Sequence, residues 1–312
     1  MKKATKKTTP ILKKKLEFNL SPRNENQMAA NKYVPPVEEY FCRIKHSVNL
    51  GDIISAMVAC KRYWDITGRK IIFHQMIGQK AAYYQGAVHP TKNELGEDVC
   101  VNEPMFKMMK PLVESQDYIQ SFERYEGQTI DLDFDVIRGQ TYVGLPNLMI
   151  QSWIMFAFPD LSVDLSKPWI FLKDVPNHPI KKQVSRKAII NFTQRYRNDR
   201  TEYFFLQNYA PDLIFAGTEH EHFLFCSRWG LDVPLLKVKD FLEYAYAIKY
   251  SRFILSNQSL GWNLAQAIHH PRVLELCNYA PNCQPMIGEH SHGYFHQAGA
   301  EYYVRRMFNE TK

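Results

Sequence analysis

The 312-residue chain is 45% hydrophobic and 23% charged, the balance of a globular protein, and it is long enough for two domains of ordinary size. Its formal charge of +7 is gathered at one end: residues 1–16 hold seven lysines and no acid, and the rest of the chain sets 32 basic against 32 acidic residues. A neutral body argues against a nucleic-acid-binding face, so no specific nucleic acid is expected.

No apolar run reaches the roughly 18 residues that a transmembrane helix needs. No apolar core follows the lysines, as it would in a secretory signal, and an Arg-poor tail makes a poor transit peptide. These exclusions point to the cytoplasm. The lysine tail can touch a membrane surface, RNA or an acidic partner, and peripheral membrane contact stays open; a solvated, disordered arm is the plainer reading. The six cysteines include no CxxC pair. They read as reduced and buried, with neither a disulfide framework nor a zinc site.

Residues 1–36 show no apolar period and form the arm. Tyr40 to Lys45 reads as a strand. Asn49-Leu50-Gly51-Asp52 makes a polar turn, after which Ile53, Ile54, Met57 and Val58 recur at helical spacing as far as about Thr67. Gly68 suits a helix C-cap. Lys70 to His74 is a second buried strand, which sets up βαβ rhythm and a parallel sheet. A helix over Pro104–Leu112, a strand over Tyr118–Tyr125, the acidic run Ile130–Ile137 and an apolar helix over residues 146–158 follow. Prolines 168, 176 and 179 mark a linker.

The rhythm then restarts. Lys187–Phe192 is a strand, Thr201–Gln207 is open between helix and strand, and Asp212–Gly217 is a strand running into a turn. Thr218-Glu219-His220-Glu221 opens a helix in capping-box style. Val238–Tyr250 is an amphipathic helix and Arg252–Ser256 a strand. Asn257-Gln258-Ser259 is a turn before a helix over Leu260–His269. Val273–Leu276 is a strand, and a last helix spans about Ala298–Phe308. The expected class is α/β, with two doubly wound, Rossmann-like parallel-sheet domains facing a central cleft. Their bounds are an arm at 1–36, an N-terminal domain at 37–165, a linker at 166–185 and a C-terminal domain at 186–312.

Ligands of such sheets collect at the carboxyl ends of the strands. Asp52 sits there, at a helix N-terminus that stabilises a carboxylate. A general base would be placed there, although a first-turn acid also serves the helix alone. The turn before Leu260 offers free helix N–H groups to a phosphate, with a hydroxyl from Ser259 and an amide from Asn263; an ordinary capped helix looks the same. An acid after Gly217 can accept both hydroxyls of a ribose, or simply close a capping box. Arg195 or Arg197 can neutralise a diphosphate, or lie in a solvated basic turn. Asp131, Asp133 and Asp135 share one face of a strand, which suits a metal or, more simply, an exposed edge. Glu289, His290, His292 and His296 suit a metal or, better, a polar cleft loop touching substrate. The sequence contains neither a GxGxxG fingerprint nor a GxxxxGKS loop.

Taken together, these residues resemble the ADP-heptose:lipopolysaccharide heptosyltransferase-like family of GT-B glycosyltransferases (glycosyltransferase family 9-like), over about residues 40–296. Asn49-Leu50-Gly51-Asp52-Ile53-Ile54 is similar to the family's Gly-Asp turn, which implies that Asp52 is the base for the acceptor hydroxyl. Ile189 to Arg195 is similar to the first strand of the nucleotide-sugar domain and its phosphate-side turn, Thr193 included. Phe215 to Glu221 is similar to the Gly-x-Glu turn by the donor's nucleoside. Ser256 to Ile268 is similar to the segment that binds the donor diphosphate. It departs from that segment at Gln258, Leu260 and Asn263, where an acid, Gly and His are usual.

The resemblance implies an inverting transfer from a nucleotide-diphosphate sugar to a glycan or lipid-linked acceptor, with no metal and no cofactor. Ser259 and Arg195 would stabilise the leaving group. Two other readings compete with it. One is a non-catalytic relative that binds the nucleotide sugar or glycan. The other is a nucleic-acid-associated protein using the arm.

Overall fold

The computed structural model describes residues 40–81, 88, 91–137, 164–278, 283 and 288–311. The arm at 1–36 and the helix expected over 146–158 lie outside them. Two parallel sheets make up the frame. The first holds β1 (Phe41–His46), β2 (Lys70–Gln75), β3 (Ile119–Arg124) and β4 (Leu132–Asp133) in the order β3-β2-β1-β4. Helix α1 (Leu50–Thr67) crosses from β1 to β2, and α2 (Glu103–Glu114) precedes β3. Gly68 ends α1 in the left-handed region, at φ 71°, with its N–H donating to Trp64 O.

The second sheet holds six strands: β5 (Ala188–Asn191), β6 (Leu213–Ala216), β7 (Leu235–Leu236), β8 (Ile254–Ser256), β9 (Arg272–Glu275) and β10 (Ser291–Tyr294). Their order is β10-β9-β8-β5-β6-β7, and every pairing is parallel. Read from β5, this is the strand order of a dinucleotide-binding sheet, which reverses direction between β5 and β8. A short turn of helix, α3 (Lys181–Val184), leads in. Then come α4 (Glu219–Trp229), α5 (Phe241–Tyr250), α6 (Leu260–Ala267) and α7 (Gln297–Glu310). The segment at Phe204–Asp212 is a 3-10 helix.

The strands of a parallel sheet are covered on both faces, and β5 shows how. All four of its residues are buried. Ala188 and Ile190 point into an outer core with Phe225, Trp229 and Val304. Ile189 points the other way, into a core that also contains Ile53, Met57, Met109 and Leu112 of the first half. That inner core therefore runs through both halves. Trp169 is stitched to both as well. Trp169 Nε1 donates to Ile54 O (2.8 Å), the Trp169 N–H donates to Ala267 O (3.0 Å), and Tyr118 donates to Trp169 O (2.7 Å).

Two expectations need correction. The acidic run is not a strand with three acids on one face: only Leu132–Asp133 pair with β1, and a 3-10 helix begins at Phe134. Its carboxylates lie against β1 instead. Asp131 accepts from the Arg43 N–H (2.7 Å), Asp133 from Lys45 Nζ (3.0 Å) and Asp135 from the Ser47 N–H (3.1 Å). The histidine segment is not a cleft loop: residues 291–294 form β10, at the far edge of the second sheet. There His292 stacks on Tyr303 with ring centroids 4.7 Å apart, and His296 Nδ1 caps α7 by accepting from the Gly299 N–H (3.1 Å). No group of three metal-ligating side chains occurs among the described residues. No described helix is long and apolar enough to cross a membrane.

Candidate functional site

The carboxyl ends of β1, β5, β6 and β8 open on one cavity of about 520 Å³ between the two halves. That volume suits a ligand of nucleotide size. Its polar end is built from the loops after β5 and β8. Asn191 closes β5 with its side chain buried: Nδ2 donates to Ala216 O (2.6 Å), and Oδ1 accepts from Ser259 Oγ (2.6 Å) and Ser256 Oγ (3.3 Å). Ser259 precedes α6, but its hydroxyl serves Asn191 and makes no capping bond, so no side chain caps that helix. The first N–H groups of α6 and the positive end of its dipole are thus directed at the cavity.

Gly261, in the first turn, allows a close approach. A Cβ there would stand 2.5 Å from both Asn191 Oδ1 and Tyr244 Oη. Thr193 and Arg195 line the same end. Asn257 holds their loop: its Oδ1 accepts from the Thr193 N–H (3.1 Å) and its Nδ2 donates to Arg195 O (2.6 Å). Tyr196 follows at φ 53°, a left-handed conformation that is uncommon outside glycine and turns the chain at this point.

The other end is apolar. Leu235, Leu236, Val238 and Phe241 face Met105 and Met108 of the first half across it. The wall between the ends is the start of α4. Its capping box is complete: Glu221 N–H donates to Thr218 Oγ1 (3.1 Å), and Thr218 N–H donates to Glu221 Oε2 (2.9 Å). Glu221 is buried on the cavity wall, whereas the Glu219 side chain is 82% exposed at the rim and pairs with Lys237 (3.5 Å). Tyr244 rises from α5 into the same space. Burial, with the Glu221 charge second, pushes its phenol pKa well up, so it stays protonated.

Of the residues expected from the sequence, Asn49, Gly51, Thr193, Arg195, Thr218, Glu219 and Ser259 meet around this cavity. Asp52, Gln258 and Asn263 are not among its lining residues. Asp52 is half-buried in the first turn of α1, on the side where its charge reaches the Cys283 thiol. Gln258 is buried and accepts from the Cys277 N–H (3.2 Å), which ties the turn to the chain after β9. Asn263 bridges the two halves: Ser55 Oγ donates to its Oδ1 (3.0 Å), and its Nδ2 donates to Ser259 O (2.9 Å).

Arg197 is taken up elsewhere. Its guanidinium meets buried Glu275 (2.7 Å) and lies over the Phe192 ring. Burial works against that charge, but Glu275 and the neighbouring tyrosines outweigh it and raise the pKa. The same carboxylate accepts from the Asn198 N–H (2.9 Å) and the Tyr203 hydroxyl, so this cluster is an internal anchor. Sequence reasoning missed Asn191, Glu221 and Tyr244 as cavity residues. A polar residue ending an all-apolar strand was a usable signal for Asn191; Tyr244 is hidden in an apolar helix and offered none.

No protein-family model matches the sequence, and no curated protein does either. Solved structures do. E. coli heptosyltransferase WaaC, in a structure with ADP, aligns with 86% of this chain and 99% of its own at 8% identity, with a TM-score of 0.55. A glycosyl transferase family 9 protein of Veillonella parvula aligns with 88% of this chain and 92% of its own, at 10% identity and a TM-score of 0.52. E. coli ADP-heptose lps heptosyltransferase II aligns with 86% and 98%, at 12% identity and a TM-score of 0.51. The protein has the GT-B fold. At these identities the likeness fixes the architecture alone.

Proposed function

We propose that this GT-B protein is a glycosyltransferase that moves a sugar from a nucleotide-diphosphate donor to a hydroxyl of a glycan or lipid-linked acceptor, with inversion and without a metal. One observation carries the reading: the cavity between the carboxyl ends of the two sheets has an uncapped helix N-terminus at one end and apolar walls at the other. The diphosphate fits the start of α6, beside Ser259, Thr193 and Arg195. The base fits between Leu236, Val238 and Phe241. The ribose then falls beside the Thr218–Glu221 turn. Structural neighbours include a heptosyltransferase with ADP, which supports a nucleotide of this class.

In the reaction, the acceptor oxygen bonds to the anomeric carbon while the bond from that carbon to the diphosphate oxygen breaks. The nucleoside diphosphate leaves with the bonding pair, stabilised by the α6 N–H groups and Arg195. The acceptor proton passes to a base. We assign that role to Asp52, one residue beyond Gly51 of the cavity wall. We place the protein in the cytoplasm, with the lysine arm free to touch an anionic membrane surface.

The test is turnover over a panel of nucleotide sugars, with binding of each nucleoside diphosphate followed by thermal shift, in wild type and Asp52→Asn. Turnover in the mutant should fall by roughly 10²–10⁴-fold while nucleotide binding persists. Equal turnover in both proteins would remove Asp52 from the mechanism. The absence of nucleotide binding would sink the donor site. The placement of Asn263 and Gln258 in structural bonds favours one second reading, a nucleotide-sugar-binding relative without turnover. Tight nucleotide binding with no transfer to any acceptor would select it.

A further inference from the structure

Tyr244 packs in the inner core, but its buried hydroxyl is left without a role. The residue is only 5% exposed and lines the cavity. Among the described residues its hydroxyl has no hydrogen-bond partner. A buried polar atom in that state is costly unless something else completes it. Its place shows what that would be. The hydroxyl stands where a Gly261 Cβ would meet it at 2.5 Å, over the first turn of α6. Asn191 Oδ1, on the same spot, is already occupied by the hydroxyls of Ser256 and Ser259. The phenol is therefore held, protonated and unsatisfied, beside the helix end that attracts an anion.

We propose that Tyr244 is a phosphate-binding residue, donating its hydroxyl to an oxygen of the diphosphate at the start of α6. This rests on the nucleotide-sugar reading above. The bond is charge-assisted, so it is among the stronger neutral-donor contacts available. Glycine stands at 261 because a Cβ there would run into the phenol and Asn191 Oδ1, so the hydroxyl can stay this close to the helix end.

The test compares full-length wild type and Tyr244→Phe by calorimetric titration with ADP, UDP, GDP and CDP, then with the parent nucleoside of the tightest binder and with inorganic pyrophosphate. Thermal unfolding of both free proteins is measured alongside. Tyr244→Phe should weaken the diphosphate and pyrophosphate about tenfold, leave the nucleoside unchanged, and keep or raise the unfolding temperature, because it deletes an unsatisfied buried hydroxyl. Diphosphate affinity equal in the two proteins overturns the proposal. So does equal weakening of nucleoside and diphosphate, which would assign the hydroxyl to the nucleoside. A fall in unfolding temperature of the free mutant would show an internal partner and overturn it too. Wild type that binds none of the nucleotides overturns the donor site itself and the tyrosine's role with it, an outcome distinct from a mutant that binds as well as wild type.

Discussion

Replacing Gly51 by alanine tests how the two halves are joined. In a helix the substitution is normally favourable by about 0.5–1 kcal/mol. Here the new methyl carbon would lie 2.8 Å from Asn263 Nδ2 and 3.7 Å from its Cγ, so the amide must move. The amide is fixed by two bonds, to Ser259 O (2.9 Å) and from Ser55 Oγ (3.0 Å), one in each half. Losing both costs about 1–3 kcal/mol at ordinary values, centred near 2, which exceeds the gain from alanine. Gly51→Ala should therefore destabilise wild type by about 1–2 kcal/mol. In an Asn263→Ala background the obstacle is gone, and the same change should be neutral or stabilising by about 0.5 kcal/mol. Urea unfolding of the four proteins, followed by tryptophan fluorescence, measures the cycle. The inner core common to both halves favours a single cooperative transition. An effect of Gly51→Ala that is the same in both backgrounds would refute the contact between α1 and α6 as described.

Two further outcomes follow from the buried charges. Glu275→Gln should cost about 3–5 kcal/mol in urea unfolding, because it strips the counter-charge from Arg197 and sets an amide against the Asn198 N–H and Tyr203 hydroxyl; a loss below about 1 kcal/mol would show that the cluster is no anchor. His270 has its pKa lowered from 6.5 to about 3 by burial, and next by Arg272, so the folded state resists the proton that the unfolded chain takes up. Its neutral form supports the fold above pH 6.5, and stability should fall as pH drops from there towards 3. The urea midpoint of wild type should then drop between pH 7 and pH 5 by more than that of His270→Asn, and equal drops would contradict the assignment.

The repeating order of strand, turn and helix was legible in the chain because its signals are local. Apolar residues at helical spacing after Asp52, the glycine after Thr67, and the Thr-x-x-Glu box at 218–221 each act within one or two turns of backbone. The all-apolar strand Ala188–Ile190 announced a sheet covered on both faces in the same way. The short strand Leu235–Leu236 gave no such signal. Two residues carry no period, and only a place beside β6 makes them a strand. The strand at 291–294 was obscured by the histidines in and beside it, His290, His292 and His296, whose side chains serve Glu310, Tyr303 and the α7 cap.

The candidate site divides along the same line. Sequence alone determined which turns lie at the carboxyl ends of strands, and so brought forward Asn49, Gly51, Thr193, Arg195, Thr218, Glu219 and Ser259. It could not distribute work among neighbours of equal chemistry. Arg195 and Arg197 are two residues apart, yet only the tertiary structure sets one at the cavity and the other against Glu275, 78 residues away. Glu219 and Glu221 are likewise two residues apart, yet one is at the rim and the other in the wall. Asn263 became a bridge because Ser55, 208 residues distant, lies across from it. Backbone shape is chosen by interactions a few residues long, which a sequence displays directly. The partner of a polar side chain is chosen by packing between distant elements, and that choice exists only once both sheets are in place.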